Sequence, residues 1–458
     1  MGRTGSGSGL RLPFIFLMAA IIPACGGSSN SKLPATLPNP PTGLVATAFT
    51  TARIDLVWVD ASDNEFEFRI ERGDALAGPY LQIAVVPMNT QAYTDLGLLA
   101  NKQYFYRITA WNSLGNSPIA GPANATTNAL TWSTAPMTGG PTVLRGNHSA
   151  IYDSLGRRMI VFGGLDDSLN VMSDVWSLDL NTLAFAANPW TPEVTGGITD
   201  PPLFGHSAIY DTANNRMIVF GGNDSGFALQ NTVYVLNLAT MAWSQPAVTG
   251  TAPSARALHT AIYEAASQSM VVSGGNDGID ELSDVHVLSL PVNPPFVWST
   301  PVLGAGPIKR SQHAAIPDPL RSRMVIFGGF DQDLAVDGSV LSNESWTLAL
   351  GGTATWNQLL FSGTPTFRRG HTGVYDAANQ RMLIFGGDTT TTPTLTNELW
   401  GLRLDVTPTW SILPFPGGPA ARFGHSAVYD SGFNRMIIFS GNDASTIAGY
   451  NDVWVIRL

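Results

Sequence analysis

Six histidines spaced at nearly regular intervals are the first residues in this sequence whose chemistry needs an explanation. They are His148, His206, His259, His313, His371 and His425, separated by 58, 53, 54, 58 and 54 residues. Imidazole commonly binds zinc and copper, so a ring of histidines could form a metal centre. Such a centre needs a few ligands that converge on one ion, whereas these histidines recur once in each repeated unit. We therefore predict that all six are structural and pack between neighbouring units.

Aspartates in variable loops are the second candidate for chemistry. A Gly-Gly pair follows five of the histidines after fifteen residues, and Ser440-Gly441 stands in its place in the sixth copy. The segments after these pairs contain Asp166, Asp167, Asp224, Asp277, Asp280, Asp331, Asp333, Asp337, Asp388 and Asp443. Five of them stand two residues after the second glycine, a position at which an aspartate closes its own turn.

The acids that the repeat does not fix, Asp167, Asp280, Asp333 and Asp337, are the better candidates for binding. Together with the long loop over 330–343 they predict a recognition rim on one face of the molecule. Carboxylates there could bind a sugar, a cationic protein surface or calcium. For the five acids at fixed positions, turn formation and ligand binding both remain open. No cofactor other than such a calcium ion is indicated.

Each histidine belongs to a unit of four predicted strands. In the second copy HSAIYD leads through TANN to RMIVFGG, and both segments are rich in residues that favour strands. A variable loop, a third strand with an aromatic residue and a fourth strand with tryptophan complete the unit. Residues that recur once per unit in fixed phase must satisfy the geometry of that unit, so they are poor candidates for catalysis.

An arginine lies three residues before the histidine in five copies, and a tyrosine lies four residues after it in five. With the Gly-Gly pair and two aromatic residues, this pattern resembles the kelch motif over about 130–458. The resemblance implies an all-β fold in which six four-stranded blades form a β-propeller over 129–458. The sequence departs from the motif at Leu203, Ser273, His286, Pro317 and Ser440, and we expect each departure to weaken single contacts only.

The two ends of this region predict how the ring closes. The segment NDVWVIRL, over 451–458, resembles a third strand and has no tryptophan segment after it. Trp132, in ALTWST, resembles a fourth strand that has no unit before it. We predict that 131–134 pairs with 453–456, so that Trp132 completes the unit of His425 and the propeller has six blades.

Residues 40–127 contain short alternating strands, which predict a small β-sandwich. IDLVWVD, FEFRIER and YFYRITAWN carry the alternation. With PPTGLVA and YTDLGL they resemble a fibronectin type III domain, an immunoglobulin-like sandwich that implies a fold and no particular function. The triplet Arg72-Gly73-Asp74 could be an adhesion motif, but its position at the end of a strand favours an ordinary turn.

The first residues of the sequence predict export. Arg3 and Arg11 precede the apolar run LPFIFLMAAIIPA, which is too short to span a bilayer, and Cys25 follows it. Residues 22–25 resemble a bacterial lipobox, which implies a signal peptide over 1–24, lipidation of Cys25, a flexible tether over 25–39 and delivery to the outer membrane. An ordinary signal peptide with an incidental cysteine is the alternative. Because Cys25 is the only cysteine, no disulfide forms within the chain.

Charge narrows the classes of function. A formal net charge of −10 gives the chain no attraction to nucleic acid or to an anionic bilayer, apart from the predicted lipid anchor. We expect a monomeric binding protein whose propeller presents its loops to a protein or a glycan, without catalysis. The alternative is a carbohydrate-active enzyme of the sugar epimerase or oxidase type, with its site at the mouth of the propeller channel. Oxidation as in galactose oxidase would need a cysteine that this propeller lacks.

Overall fold

The computed structural model describes residues 34–458 apart from 35, 183–184, 186, 332–339, 364, 390–393, 405–407 and 444–448. Cys25, Asp333 and Asp337 therefore lie outside the described residues, as do the predicted signal peptide and most of the predicted tether. The described chain is built from strands, with one short 3-10 helix at Pro319–Arg321. In the part of the chain that the structure describes, no helix is long and apolar enough to cross a membrane.

Two sheets form the first module, as the alternating pattern predicts. Its strands are β1 (Thr42–Ala48), β2 (Arg53–Val59), β3 (Glu67–Gly73), β4 (Tyr80–Pro87), β5 (Ala92–Leu96), β6 (Gln103–Asn112), β7 (Gly115–Asn116) and β8 (Ala120–Thr126). One sheet has the order β1-β2-β5, and the other has the order β4-β3-β6-β7 with β8 also paired to β6. Trp58, Phe68 and Tyr106 are buried between the sheets, where they supply most of the aromatic area of this core.

Six further sheets follow, and each contains four antiparallel strands that pair in the order first, second, third and fourth. The first strands are Ser149–Asp153, Ser207–Asp211, Thr260–Glu264, Ala314–Asp318, Thr372–Asp376 and Ser426–Asp430. The second strands are Arg158–Phe162, Arg216–Phe220, Ser269–Ser273, Arg323–Phe327, Arg381–Phe385 and Arg435–Phe439. The third strands are Val175–Asp179, Val233–Asn237, Val285–Ser289, Ser345–Ala349, Leu399–Arg403 and Val453–Arg457. The fourth strands are Trp190–Pro192, Ala242–Ser244, Phe296–Ser299, Trp356–Gln358, Thr409–Ile412 and Trp132–Ala135.

Short additional strands lie outside this repeated pattern. Gly196–Gly197 and Val248–Gly250 each add a parallel strand to the edge of the second and third sheets. Phe330–Asp331 and Val340–Leu341 form a small hairpin at the base of the long loop.

The predicted closure of the ring is confirmed. Val453 to Ile456 pairs antiparallel with Ala135 to Trp132, so Trp454 lies opposite Thr134 and Ile456 lies opposite Trp132. The first strand of each sheet contacts the first strand of the next, and the sixth contacts the first. The sheets therefore follow one another around a central channel, and a strand from the start of this region completes the last sheet.

Hydrophobic cores lie between neighbouring sheets, at contacts that we call seams and name by their two sheets. The second strand is buried on both faces because each sheet packs between two others, and it reads as an unbroken apolar run such as RMIVF. At the seam between the second and third sheets, the Phe220 ring packs against His259 and Trp298, with centroids 5.3 and 4.9 Å apart. Five of the six seams contain this phenylalanine between a histidine and a tryptophan.

An arginine also crosses this seam. Arg216 Nε donates to the Asp211 carboxylate at 2.7 Å, and Nη2 donates to the carbonyl of Leu290 in the third sheet at 2.9 Å. Arg158, Arg323 and Arg435 make the corresponding bridges at their own seams. The bridge ties two sheets together while it neutralises a buried carboxylate.

The seam between the third and fourth sheets lacks these contacts. Ser273 takes the place of the phenylalanine, Ser269 takes the place of the arginine, and Pro317 takes the place of a tyrosine that elsewhere reaches the preceding sheet. Trp356 and Ile262 still pack in this seam, and the Thr260 hydroxyl still bonds to His313 Nε2 at 2.7 Å. Two departures that the sequence predicts to act singly, Ser273 and Pro317, therefore meet at one contact surface, and Ser269 lies there too.

Candidate functional site

A ring of backbone hydrogen bonds surrounds one end of the channel. We call this end the Gly-Gly face, because it carries the loops after each Gly-Gly pair and the chain that precedes each histidine. The residue just before each histidine donates its N–H to the carbonyl of its counterpart in the preceding sheet, at 2.7 to 2.9 Å. The ring comprises Asn147, Gly205, Leu258, Gln312, Gly370 and Gly424. All six have φ between 54° and 65°, a left-handed conformation that points successive amides around the circle.

The six histidines lie behind this ring and point into the seams. Nε2 of His206 and of His259 bonds to the hydroxyl of Ser149 and of Ser207 respectively, each at 2.8 Å. His148, His313 and His425 make the same contact with Ser426, Thr260 and Thr372. Because each described imidazole faces a different seam, the six do not converge on a metal ion.

Burial holds these imidazoles neutral. Desolvation lowers the pKa of His206, His259 and His371 to about 3, and lowers the pKa of His148, His313 and His425 well below the usual value. At the seam between the fourth and fifth sheets Ala314 replaces the hydroxyl residue, and among the described residues Nε2 of His371 has no hydrogen-bond partner.

The arginines three residues before the histidines have a structural role. Arg256 is fully buried, and its guanidinium donates to the Gly274 carbonyl and to both carboxylate oxygens of Asp284. Although burial acts to raise it, the bonds from Arg256 and His286 hold the pKa of Asp284 below its usual range. His286, which stands where tryptophan occurs in other copies, keeps the ring nitrogen to carboxylate bond at 2.8 Å. In the second copy Leu203 stands in the position of Arg256, and Thr232 stands in the position of Asp284. Both partners of this ion pair are therefore replaced together.

Three of the predicted rim aspartates, Asp166, Asp224 and Asp277, form turns in the structure. The Asp224 carboxylate accepts from the N–H groups of Gly226 and Ala228 and from the side chain of Gln230. The carboxylates of Asp166 and Asp277 close their own loops in the same way. Asp443 is half-buried at the start of its loop, and Asp167 is exposed. Asp388 is only 3% exposed and pairs with Arg369, so it does not present its carboxylate at the surface.

One group of acids comes together across two sheets, and we call it the acidic cluster. Asp280, Glu281 and Asp331 each offer a carboxylate oxygen within 4.8 Å of the others. Glu281 is buried and was not among the residues that the sequence singled out, because its side chain reaches across the seam to accept from Ser311. The ammonium of Lys309 pairs with Asp280. Oxygen ligands at this spacing suit calcium, and the lysine competes for the same carboxylate.

The opposite end of the channel is open. We call it the turn face, because it carries the turns between the first and second strands. A cavity of about 580 Å³ lies there, lined by small residues such as Ala150 and by tyrosines such as Tyr152 and Tyr210. Burial and the neighbouring Asp430 raise the pKa of Tyr152 to about 12, which keeps the hydroxyl protonated. The described lining of this cavity contains no carboxylate and no base.

The adhesion-like triplet of the first module is engaged internally. Arg72 Nη1 donates to the buried Asp95 carboxylate at 2.9 Å, and that carboxylate also accepts from the Tyr106 hydroxyl. Asp74 pairs with Lys102. An arginine with these partners is a structural residue of the sandwich and is not displayed for recognition.

Known proteins share the repeated part of the chain. Residues 124–294, 183–347 and 337–458 match the family described as the KLHDC2/KLHL20/DRC7 Kelch-repeats domain. The chain belongs to the kelch-repeat family. The resemblance that the Arg-x-x-His, Gly-Gly and aromatic pattern predicts is thereby confirmed.

Relatives of this kelch chain match it over part of their own length. It is 30% identical over 210 residues to the Rab9 effector protein with kelch motifs from Bos taurus, covering 44% of the chain and 53% of that relative. It is 28% identical over 329 residues to Adagio-like protein 3 from Oryza sativa subsp. japonica, covering 69% of the chain and 49% of the relative. The chain thus spans about half the length of these relatives. The solved structure of YjhT matches with a TM-score of 0.53 at 15% identity, over 71% of the chain and 97% of that structure, which concerns the fold alone.

Proposed function

We propose that this chain is an exported binding protein whose six-bladed kelch propeller holds a protein partner on its Gly-Gly face. The observation that supports the proposal is that the residues of that face fall into two groups, those that hold the sheets together and those that are exposed on the loops. The amide ring, the histidines and the buried arginines are all engaged in holding the sheets together. The exposed side chains of the loops around the ring, such as Leu169, Phe227 and Ile279, are not needed by this frame, and exposed apolar residues on variable loops are typical of interaction surfaces.

Relatives support a role in protein interaction. The name of the Rab9 effector protein with kelch motifs describes an effector of another protein. Host cell factor 1 from Homo sapiens is a further relative, and this chain is 29% identical to it over 261 residues. The net charge of −10 suits a partner with a basic surface. A glycan in place of a protein is the other ligand that such loops could bind.

The arrangement of the rest of the chain follows from the same proposal. A fibronectin type III sandwich spaces the propeller from a lipid anchor at Cys25, and the anchor attaches a monomer to the bacterial outer membrane. The lipobox-like residues 22–25 support the anchor. Replacing Cys25 with Ser should release the protein from membranes into the soluble fraction. Retention of the processed Cys25→Ser protein in washed membranes would contradict the anchor.

Site-specific crosslinking tests which face binds. A photoreactive amino acid is placed at Leu169 or Ile279 on the Gly-Gly face, and at Leu155 or Leu320 on the turn face, in cells that produce the chain. We expect protein adducts from the first two positions and none from the other two. Adducts from the turn face alone, or strong binding on a glycan array without any protein adduct, would overturn the proposal.

A carbohydrate-active enzyme is the second candidate, favoured by one observation. The acidic cluster with Lys309 is a group of acid and base in which Asp280, unlike Asp331, is not at a position fixed by the repeat. Turnover of candidate sugars that is lost in Asp280→Asn while the fold persists would establish catalysis and exclude a purely binding role.

A further inference from the structure

An apolar patch crosses the second and third sheets on the Gly-Gly face. It consists of Phe204, Phe227, Leu229, Leu258 and Ile279. The Phe204 and Phe227 rings pack edge to face with centroids 5.4 Å apart. Leu258 lies over Gly205 and Leu229 lies over Gly278, each close enough to touch a methyl group added to that glycine. Leucines of each of the two sheets therefore lie against a glycine of the other sheet.

The most prominent members of the patch are held open to solvent. Phe227 is 49% exposed and Ile279 is 87% exposed. Asp224 fixes the turn that presents Phe227, and the Asp277 carboxylate accepts the N–H of Ile279 at 3.0 Å. Side chains presented by turns that are already formed lose little entropy on binding, which favours their use as anchors. Contiguous exposed apolar residues bordered by polar ones are typical of protein interaction sites.

The acidic cluster borders this patch directly, because Ile279 precedes Asp280 in the same loop. Asp280 is its accessible member, whereas Glu281 is buried and already accepts from Asn276 and Ser311. The cluster holds the ammonium of Lys309, whose side chain is half exposed. A long exposed lysine is readily exchanged for another cation, so the chain's own lysine shows which group this position accepts.

We propose that the apolar patch and the acidic cluster together bind a segment of a partner protein in which a large apolar side chain lies next to a lysine or arginine. The apolar side chain would lie among Phe227, Leu258 and Ile279, and the basic side chain would replace Lys309 beside Asp280. The inference rests on the proposed function and names the chemistry of the partner. A second copy of this chain fits poorly, because two chains of net charge −10 repel each other.

Selection from a library of random linear peptides displayed on phage tests the inference with the full chain as bait. We expect enriched peptides to place a large apolar residue within a few positions of Lys or Arg. Binding of a synthetic enriched peptide, followed by fluorescence anisotropy, should weaken about tenfold or more in Ile279→Asp and in Phe227→Asp. Leu155→Asp is the matched control, since Leu155 is 73% exposed on the turn face, and it should leave the affinity unchanged.

The electrostatic half of the inference has its own control pair. Asp280→Asn should weaken the binding of the enriched peptide several fold and reduce the salt dependence of its affinity, whereas Asp63→Asn, at an exposed acid of the first module, should do neither. Enriched peptides that lack basic residues, affinities that are equal in wild type and Ile279→Asp, or no enrichment at all would each overturn the inference.

Together with the crosslinking experiment, the peptide selection distinguishes failure of this inference from failure of the proposed function. Adducts on the Gly-Gly face together with peptides that lack basic residues would leave the proposed function standing and remove only the inference. Adducts confined to the turn face would remove both.

Discussion

The seam between the second and third sheets and the seam between the third and fourth are built from the same repeat but are held together differently. The first contains the Phe220 ring between His259 and Trp298 and the Arg216 bridge to Leu290. The seam between the third and fourth sheets has Ser273 in place of the phenylalanine and Ser269 in place of the arginine. Both have the same strand pairing and the same histidine to hydroxyl bond. The ring therefore closes without the phenylalanine and the arginine bridge at every seam, and we expect the seam that lacks them to be less stable.

At the seam between the third and fourth sheets, residues that contact one another in the other seams are replaced together. Elsewhere an aspartate ends the first strand, an arginine neutralises it and a tyrosine from the next sheet approaches it; here Glu264, Ser269 and Pro317 occupy the three positions. A buried carboxylate that loses its arginine costs several kcal/mol, whereas replacing all partners together costs much less. Leu203 and Thr232 follow the same rule at the second copy. We infer that local opening of the ring begins at the third to fourth seam.

Acid should produce the largest effect, and it should act on all seams alike. The six histidines titrate near 6.5 when unfolded but stay neutral in the folded chain because burial lowers their pKa, to about 3 in His206, His259 and His371. The unfolded state therefore binds more protons below pH 6.5, and stability falls as pH falls. The loss should approach about 1.4 kcal/mol per pH unit for each histidine. Urea unfolding between pH about 6.5 and 5, where carboxylates stay ionised, measures it.

A flat stability profile over that range would show that the histidines are accessible to protons. It would also remove the reason to expect that burial keeps the histidine neutral in all six seams.

Transferring the serine of the weak seam into the strong one should give the largest effect of a single substitution. Phe220→Ser removes a fully buried ring from between His259 and Trp298, so we expect the free energy of unfolding to fall by about 3–5 kcal/mol. Ser273→Ala at the equivalent position is the control and should change it by less than about 1 kcal/mol. Equal losses from the two substitutions in urea denaturation would refute the difference between the seams.

Removing the arginine bridge should rank next. Arg216→Ser leaves the Asp211 carboxylate buried without its cation, and we expect a loss of about 3 kcal/mol. Amide hydrogen exchange gives the local readout. In the wild type, Ala314–Asp318, which flanks the third to fourth seam, should exchange faster than Ser207–Asp211, which does not, and in Arg216→Ser this difference should shrink as the second to third seam loosens. Ser269→Ala, which removes no bridge, should leave both rates unchanged; a fall in protection there would argue that Ser269 itself holds the weak seam.

The repeat made much of this fold predictable. Fixed spacing from each histidine to its Gly-Gly pair indicates equivalent units, and an unpaired segment at each end predicts the pairing of Trp132 with Ile456, which the structure confirms. These features follow from local sequence, because strand alternation and turn chemistry are read within a few residues. The departures Ser273 and Pro317 were visible as well. Their meeting at one seam was not, since it depends on which neighbouring sheet each side chain faces.

The candidate site was less predictable for the same physical reason. Acids in the loops were apparent, but their roles depend on partners from other units, as when Asp388 is buried against Arg369 and Asp280 approaches Asp331 across a seam. Glu281 gave no signal because nothing local marks a side chain that turns inward. The amide ring was hidden too, since it is made of backbone and its members, from Gly205 to Leu258, share no side-chain chemistry.

The smallest expected effect concerns a single hydrogen bond and compares the weak seam with the next one. Thr260 bonds to His313 at 2.7 Å, whereas Ala314 leaves Nε2 of His371 without a hydrogen-bond partner among the described residues. Ala314→Ser should supply the hydroxyl and raise the free energy of unfolding by about 1 kcal/mol, and Thr260→Ala should lower it by a similar amount. Paired urea denaturation measures both. If Ala314→Ser gave no gain while Thr260→Ala caused a loss, a partner other than the seam hydroxyl would already satisfy His371, and the fourth to fifth seam would be complete without it.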